Sequence, residues 1–260
     1  MRIALNIQYN GASFHGWQRQ PDCCSVQETV ENAVSKVADE SISVVCAGRT
    51  DALVHALGQV VHFDTDVQRE LIAWEFGVNS YLPKDISVNW ARIVPNDFHA
   101  RFSAVKRHYR YIIYNARTRS GVWNDLVTWI SRDLDTDKML SAAKYLLGEH
   151  DFSSFRSAQC QSKTPIRCID SLELKRCGEF IVLDVIANGF LHHMIRNIMG
   201  TLLPIGSNEQ PIGWMQFVLD ACDRTKAGVT APPNGLYFMG VYYPQVFDFP
   251  LLAPISVLPF

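Results

Sequence analysis

The 260-residue sequence lacks most signatures of the common enzyme chemistries. It has no Walker phosphate loop, no Rossmann glycine fingerprint, no zincin motif and no Gly-x-Ser-x-Gly elbow. Its seven cysteines never adopt a Cys-x-x-Cys spacing: Cys23 and Cys24 are adjacent, and Cys160, Cys168 and Cys177 stand far apart. That pattern argues against zinc and fits a reducing cytoplasm. No window approaches the ~20 apolar residues of a membrane helix. The opening Met1–Asn10 alternates apolar and polar residues, unlike a signal peptide. Net charge is only −2, which on average argues against nucleic acid as a partner. With 48% hydrophobic and 19% charged residues the composition is that of an ordinary globular protein. A chain this long buries roughly 70–75% of its unfolded surface and needs no metal or disulfide staple.

The near-neutral total hides a local asymmetry. Between Phe98 and Asn124 six basic residues (Arg101, Lys106, Arg107, Arg110, Arg117, Arg119) meet no acidic one, and Tyr109, Tyr111 and Tyr114 are interleaved with them. A second acid-free stretch, Phe152–Ile169, carries Arg156, Lys163 and Arg167. Cations among aromatics suit a ligand with both phosphates and bases. A solvated strand edge guarded by charge is the bland alternative. The length of the acid-free window favours phosphate.

Alternation predicts a strand at Arg2–Tyr9, and Ser25-Val26-Gln27-Glu28 reads as a capping box opening a helix along Val26, Val30, Ala33, Val34 and Val37. Strands are expected at Ile42–Ala47, Gln59–Phe63 and Ile86–Val94, with a helix over about Val67–Tyr81. The order repeats from residue 104. Strands are expected at Arg107–Asn115 and Val122–Ile130, then a helix at Asp137–Leu147 stopped by Gly148. Strands at Cys168–Arg176 and Phe180–Ala187, helices at Phe190–Ile205 and Ile212–Ala221, and a strand at Leu236–Tyr242 complete it. The expected class is α+β: two ferredoxin-like halves, residues 1–103 and 104–243, each an antiparallel sheet with helices on one face. RNA-recognition modules of this kind stack unpaired bases on the same sheet, though the architecture alone says little about function. Residues 244–260 form a tail with one charge, Asp248, and four prolines. It cannot be a helix through Pro250 or Pro254. It reads either as an extended segment on its own domain or as a subunit contact.

One carboxylate stands out. Asp51 ends the turn Ala47-Gly48-Arg49-Thr50-Asp51 after an apolar strand, with Arg49 two residues before and His55 four after. A loop aspartate is commonly a helix cap or an Asx-turn. Here an adjacent cation would keep it ionised at the mouth of a sheet.

Ala47–Ala52, followed by Val54-His55-Ala56 and Gly58-Gln59-Val60-Val61-His62-Phe63, closely resembles the catalytic motif of TruA-type tRNA pseudouridine synthases. Gly16-Trp17-Gln18-Arg19-Gln20, Phe98–Ser103, Arg110–Asn115, Asp151–Arg156 and Phe190–Asn197 match further motifs, so the resemblance runs from about Ile3 to Tyr243. It implies the pseudouridine synthase fold and an isomerase acting on uridines 38, 39 and 40 of the tRNA anticodon stem-loop. It further implies a homodimer with no cofactor and no metal. Asp51 falls on the catalytic aspartate (a nucleophile), Tyr109 on the base-contacting tyrosine, Arg49 and Arg196 on the accompanying arginines, and Leu236 on the apolar wall of the uracil pocket. Arg196 is one helical step from His192, which would put both on one face. Arg19 is a candidate phosphate contact or a plain surface arginine. Arg101, Lys106, Arg107, Arg110, Arg156 and His192 are candidate RNA contacts, with a core role for His192 equally open.

The family usually has glycine where this sequence has Leu53. If that position needs a left-handed backbone, leucine costs ~1–2 kcal/mol. A non-catalytic tRNA-binding protein or chaperone with a decayed loop is therefore one rival reading. An aspartate-nucleophile hydrolase is another, but no second carboxylate stands at a defined spacing.

Overall fold

A computed structural model describes residues 1–250, and the tail from 251 on lies outside them. In chain order the elements are β1 (Arg2–Tyr9), α1 (Val26–Ala38), β2 (Val45–Cys46), β3 (His55–Asp64), α2 (Val78–Tyr81), β4 (Ile86–Val94), β5 (Lys106–Asn115), β6 (Thr128–Ile130), α3 (Thr136–Ala143), β7 (Gly148–Asp151), β8 (Ile166–Cys177), β9 (Phe180–Ala187), α4 (Met194–Gly206), α5 (Trp214–Ala221) and β10 (Leu236–Tyr242). They divide into two units, one of Met1–Lys106 with the described residues from Tyr237 on, the other of Arg107–Leu236. The halves expected from the sequence are 1–103 and 104–243, the second including all of β10.

In the first unit β1 pairs antiparallel with both β3 and β4, and β2 lies on β3. The resulting order β4-β1-β3-β2, with α1 and α2 as crossovers, is ferredoxin-like. β3 is long enough to serve two partners on one edge. Val61 and His62 face β2, while His55 and Ala56 pair in parallel with Tyr237 and Phe238 of β10. The helix predicted from the capping box forms as read: Ser25 accepts from the Glu28 N–H, and Val26, Val30, Ala33 and Val34 are buried. Beyond β10, the chain returns through an aromatic cluster in which Phe98 meets the rings of Tyr243, Phe247 and Phe249 at 5.2, 5.0 and 5.2 Å. The described part of the tail thus packs on its own unit.

The strand expected over Ile42–Ala47 shrinks to Val45–Cys46 for a definite reason. Ser35 Oγ takes the Ile42 N–H at 2.9 Å and Glu31 Oε1 takes that of Val44 at 3.0 Å. Side chains of α1 replace the sheet ladder there. The helix expected from Val67 is also shorter, with a π-turn at Ala73–Gly77 ahead of α2.

In the second unit the order is β5-β9-β8-β7, antiparallel throughout, with β6 parallel to β5. β7, Gly-Glu-His-Asp, was not expected from the sequence because a short polar edge strand carries no apolar alternation. The strand expected from Val122 begins only at Thr128, since Ser120 Oγ accepts from the N–H groups of Val122 and Trp123 and holds them in a turn. Asp135 caps α3, which passes into a 3-10 turn before Gly148 at φ +92°. The helix expected from Phe190 starts instead at Met194, because His193 adopts φ +62°. His192 therefore lies outside α4, and the helical-step argument linking it to Arg196 fails.

α4 is crossed closely by the chain at 228–231. A Cβ on Gly200 would sit 1.8 Å from Val229 O, so only glycine permits the approach. Across this crossing Arg196 O accepts from the Ala231 N–H at 3.0 Å, and Arg196 Nε donates to Ala231 O at 2.9 Å.

Candidate active site

The Asp51 loop is held within the first unit by backbone hydrogen bonds and by side chains beneath it. Ala47 N–H donates to Val60 O at 2.8 Å, continuing the sheet for one residue. The chain then leaves β3 and closes a turn in which Val54 N–H donates to Asp51 O at 3.2 Å. Leu53, the third residue of that turn, has φ +66°. It occupies the left-handed region that favours glycine, so leucine reproduces the backbone geometry glycine would give and bears the strain. Glycine would relieve ~1–2 kcal/mol of that strain while losing ~0.5–1 kcal/mol to unfolded-chain entropy. Leu53→Gly is therefore expected to raise stability by about 0.5–1 kcal/mol, measured as a higher urea midpoint at unchanged slope.

A second segment seats the loop. Trp17 N–H donates to Thr50 O at 3.0 Å, and Leu53 N–H to Phe14 O at 3.4 Å. Gly16, at φ +91°, lies so close that a Cβ there would stand 2.9–3.0 Å from Thr50 O, Ala52 N and Asp51 C. The Gly16–Gln20 motif is thus a saddle for the Asp51 turn. His55 is fully buried; its Nδ1 accepts from Gly11 N–H at 3.1 Å and its ring stacks on Tyr237 at 4.6 Å. These contacts tie it to β10 and to the turn at Gly11.

The structure places the remaining first-unit candidates as follows. Arg49 is exposed beside Asp51 in the chain. Its charge and that of Arg101 both act on Cys46, whose thiol burial pushes up to about 12. Arg101 lies over the exposed Phe102 ring at 5.5 Å. Arg19, half exposed, turns away to an ion pair with buried Glu31 at 2.8 Å. Lys106 opens β5.

In the second unit, Arg107, Tyr109 and Tyr111 alternate onto one face of β5. The Tyr109 ring meets Phe190 edge-on at 4.9 Å. Tyr111 is buried, its hydroxyl bound to Thr128 and Pro232 O at 2.7 Å each. Burial pushes its ionisation up, while the Thr128 hydrogen bond and, less, the Arg196 charge pull it down. Leu236 is buried at the start of β10. Arg110 is not brought to that face. It points with His108 to the other side, where both bind Asp184 at 2.6–3.1 Å and hold its carboxyl below the usual range despite burial. Arg156 folds its own loop, donating to Cys160 O and Ser162 O at 2.8 and 2.7 Å. His192 donates its N–H to Cys160 Sγ at 3.4 Å, and Arg107 donates to Asn188 O.

Sequence reasoning passed over Tyr9, Gln59 and Phe190 as site residues. The first two lie in segments read only as strand or motif. Phe190 had no signal beyond its place beside Leu191-His192.

The first unit thus carries a carboxylate in a tight turn beyond a strand of a ferredoxin-like sheet, and the second unit a strand that presents Arg107 and Tyr109 on one face. The chain belongs to the tRNA pseudouridine synthase family, whose model matches residues 6–103 and 142–244. It is 57% identical over 252 residues to the tRNA pseudouridine synthase A of Pseudoalteromonas atlantica, covering 97% of this chain and 96% of the relative. The enzymes of the same name from Vibrio vulnificus (strain YJ016) and Legionella pneumophila (strain Lens) are each 53% identical, over 96% and 95% of this chain and 95% and 94% of their own lengths.

Proposed function

We propose that this chain isomerises uridine to pseudouridine at positions 38, 39 and 40 of the tRNA anticodon stem-loop. It works as a cytoplasmic homodimer without cofactor or metal, and Asp51 is its catalytic carboxylate. The observation that carries the reading is the Asp51 turn, held through backbone hydrogen bonds from two directions with its third residue in the left-handed conformation. Leucine there bears ~1–2 kcal/mol of strain, which is the motive for the second reading, a non-catalytic tRNA-binding protein; tritium release by the wild-type chain decides between the two. No helix among the described residues is long and apolar enough to cross a membrane.

The reaction breaks the C1′–N1 glycosidic bond, turns the uracil, and joins C1′ to C5. The proton on C5 leaves to solvent and N1 gains one. Asp51 attacks C1′ or takes a ribose proton and returns it; either route needs one ionised carboxylate beside the sugar. The base must leave its stack first. Tyr109 supplies a ring for it, Leu236 an apolar wall, and Arg49 and Arg196 keep Asp51 charged. Arg101, Lys106, Arg107, Arg156 and His192 stand for backbone phosphate, whereas Arg19 and Arg110 contribute only where their ion pairs open.

The test uses tRNA transcripts tritiated at uracil C5. Wild-type protein should release tritium from transcripts carrying uridine at 38, 39 or 40. Transcripts with cytidine at all three positions should release none. Release from the latter would place the activity elsewhere in tRNA.

A further inference from the structure

Beneath the Asp51 turn lies a buried polar group that no hydrogen-bonding need of the sheet explains. Gln59 sits inside β3 opposite Ile7 of β1 and is fully buried. Its carboxamide donates from Nε2 to Gly48 O at 2.5 Å, and its Oε1 accepts from Gly48 N–H at 3.4 Å. A side-chain amide thus replaces a strand neighbour for one peptide of the catalytic loop. Two residues on, the buried hydroxyl of Thr50 lies 2.7 Å from Tyr9 Oη. Tyr9 belongs to β1 and is itself buried. Its hydroxyl also interacts with Gln59, and burial pushes its ionisation upward, so it stays a neutral partner. The residues on either side of Arg49 are therefore tied to the sheet by side chains of β1 and β3.

We propose that Tyr9 and Gln59 form a brace that positions Asp51, acting through Thr50 and Gly48 and touching no substrate. The physical case is one of location and price. Burying an amide and two hydroxyls in an apolar sheet interior is unfavourable unless each is bonded. Apolar residues at Tyr9's ring tip and at Gln59 would serve the core as well or better. What the polar choices add is direction: two hydrogen bonds at Gly48 and one at Thr50 set the path of the backbone into Asp51. A carboxylate that must meet one carbon or one proton of ribose loses about 10²-fold for a misplacement near 1 Å.

The inference rests on Asp51 being the catalytic group, so the experiment includes Asp51→Ala. Single-turnover tritium release at saturating enzyme, tRNA dissociation constants and thermal unfolding are measured for wild type, Asp51→Ala, Tyr9→Phe, Thr50→Val and the Tyr9→Phe/Thr50→Val pair. Tyr9→Phe keeps the ring and Thr50→Val the shape, so each removes one hydroxyl. The expected result is a fall in the chemical rate of about 10-fold for each single variant, with tRNA affinity within about threefold of wild type. The double variant should be no slower than the slower single one, since one hydrogen bond is lost in either case. A weaker tRNA dissociation constant with unchanged single-turnover rate would overturn the brace, and so would a wild-type rate in Tyr9→Phe. An active Asp51→Ala would instead overturn the reading on which the brace depends. Should Tyr9→Phe fold poorly, Gln59→Leu gives the same comparison from the other end of the brace.

Discussion

Replacing Asp51 with alanine should abolish tritium release from tRNA while leaving tRNA binding within a few-fold of wild type. The expected loss is on the order of 10³-fold or more, about 4 kcal/mol of transition-state stabilisation. The size follows from the chemistry. A carboxylate that bonds to C1′ or carries the ribose proton takes part in the bonds that change, and water cannot stand in for it at the same distance. The expected sparing of affinity follows from charge. Asp51 is an anion beside a polyanionic ligand, so removing it cannot weaken phosphate contacts and should, if anything, strengthen them. The fold should tolerate the change, because the turn is held through backbone groups of Ala47, Thr50, Asp51, Leu53 and Val54 that alanine retains.

Gly16→Ala should produce the second large effect without touching any reacting group. Gly16 is at φ +91°, where an L side chain is strained, and an added Cβ would press on Thr50 O, Ala52 N and Asp51 C at 2.9–3.0 Å. All three neighbours are backbone, so nothing can rotate aside. Either the saddle or the Asp51 turn must shift by several tenths of an ångström. Catalytic geometry is steep in distance, about 10²-fold for a misplacement near 1 Å, so a shift of several tenths should lower the single-turnover rate by about 10-fold or more. The dissociation constant for tRNA should change little. The contrast with Leu53→Gly is instructive: one change introduces strain around the turn and the other relieves it. A Gly16→Ala protein with wild-type rate would mean that the saddle merely supports the chain.

Legibility in the sequence differed with the range of the determining contact. α1 was readable because its cap, Ser25, and its first-turn partner, Glu28, are three residues apart. β1 was readable from its alternation. β2 was overestimated because the N–H groups of Ile42 and Val44 are taken by side chains 7 and 13 residues earlier in the chain. The start of α4 was misplaced because nothing local marks His193 as left-handed, and the expected His192–Arg196 face went with it. At the site, Asp51 was legible as a motif and Tyr109 as an aromatic among cations. Arg110 was not separable from Arg107 until register put Asp184, 74 residues away, opposite it. Arg19's pairing with Glu31, across 12 residues, was equally hidden. Gln59 was visible only as part of the Asp51 motif. Its role depends on where the chain goes after Gly48, which no pattern of hydrophobicity records.

The most direct measurement is single-turnover tritium release by Asp51→Asn, with enzyme in excess over a tRNA transcript tritiated at uracil C5 and binding confirmed in the same solution. Asparagine keeps the shape of the side chain and removes its charge and nucleophilicity. The expected result is fully bound tRNA with no release above background over many wild-type half-lives. Release at a rate within tenfold of wild type would contradict Asp51 as the catalytic carboxylate.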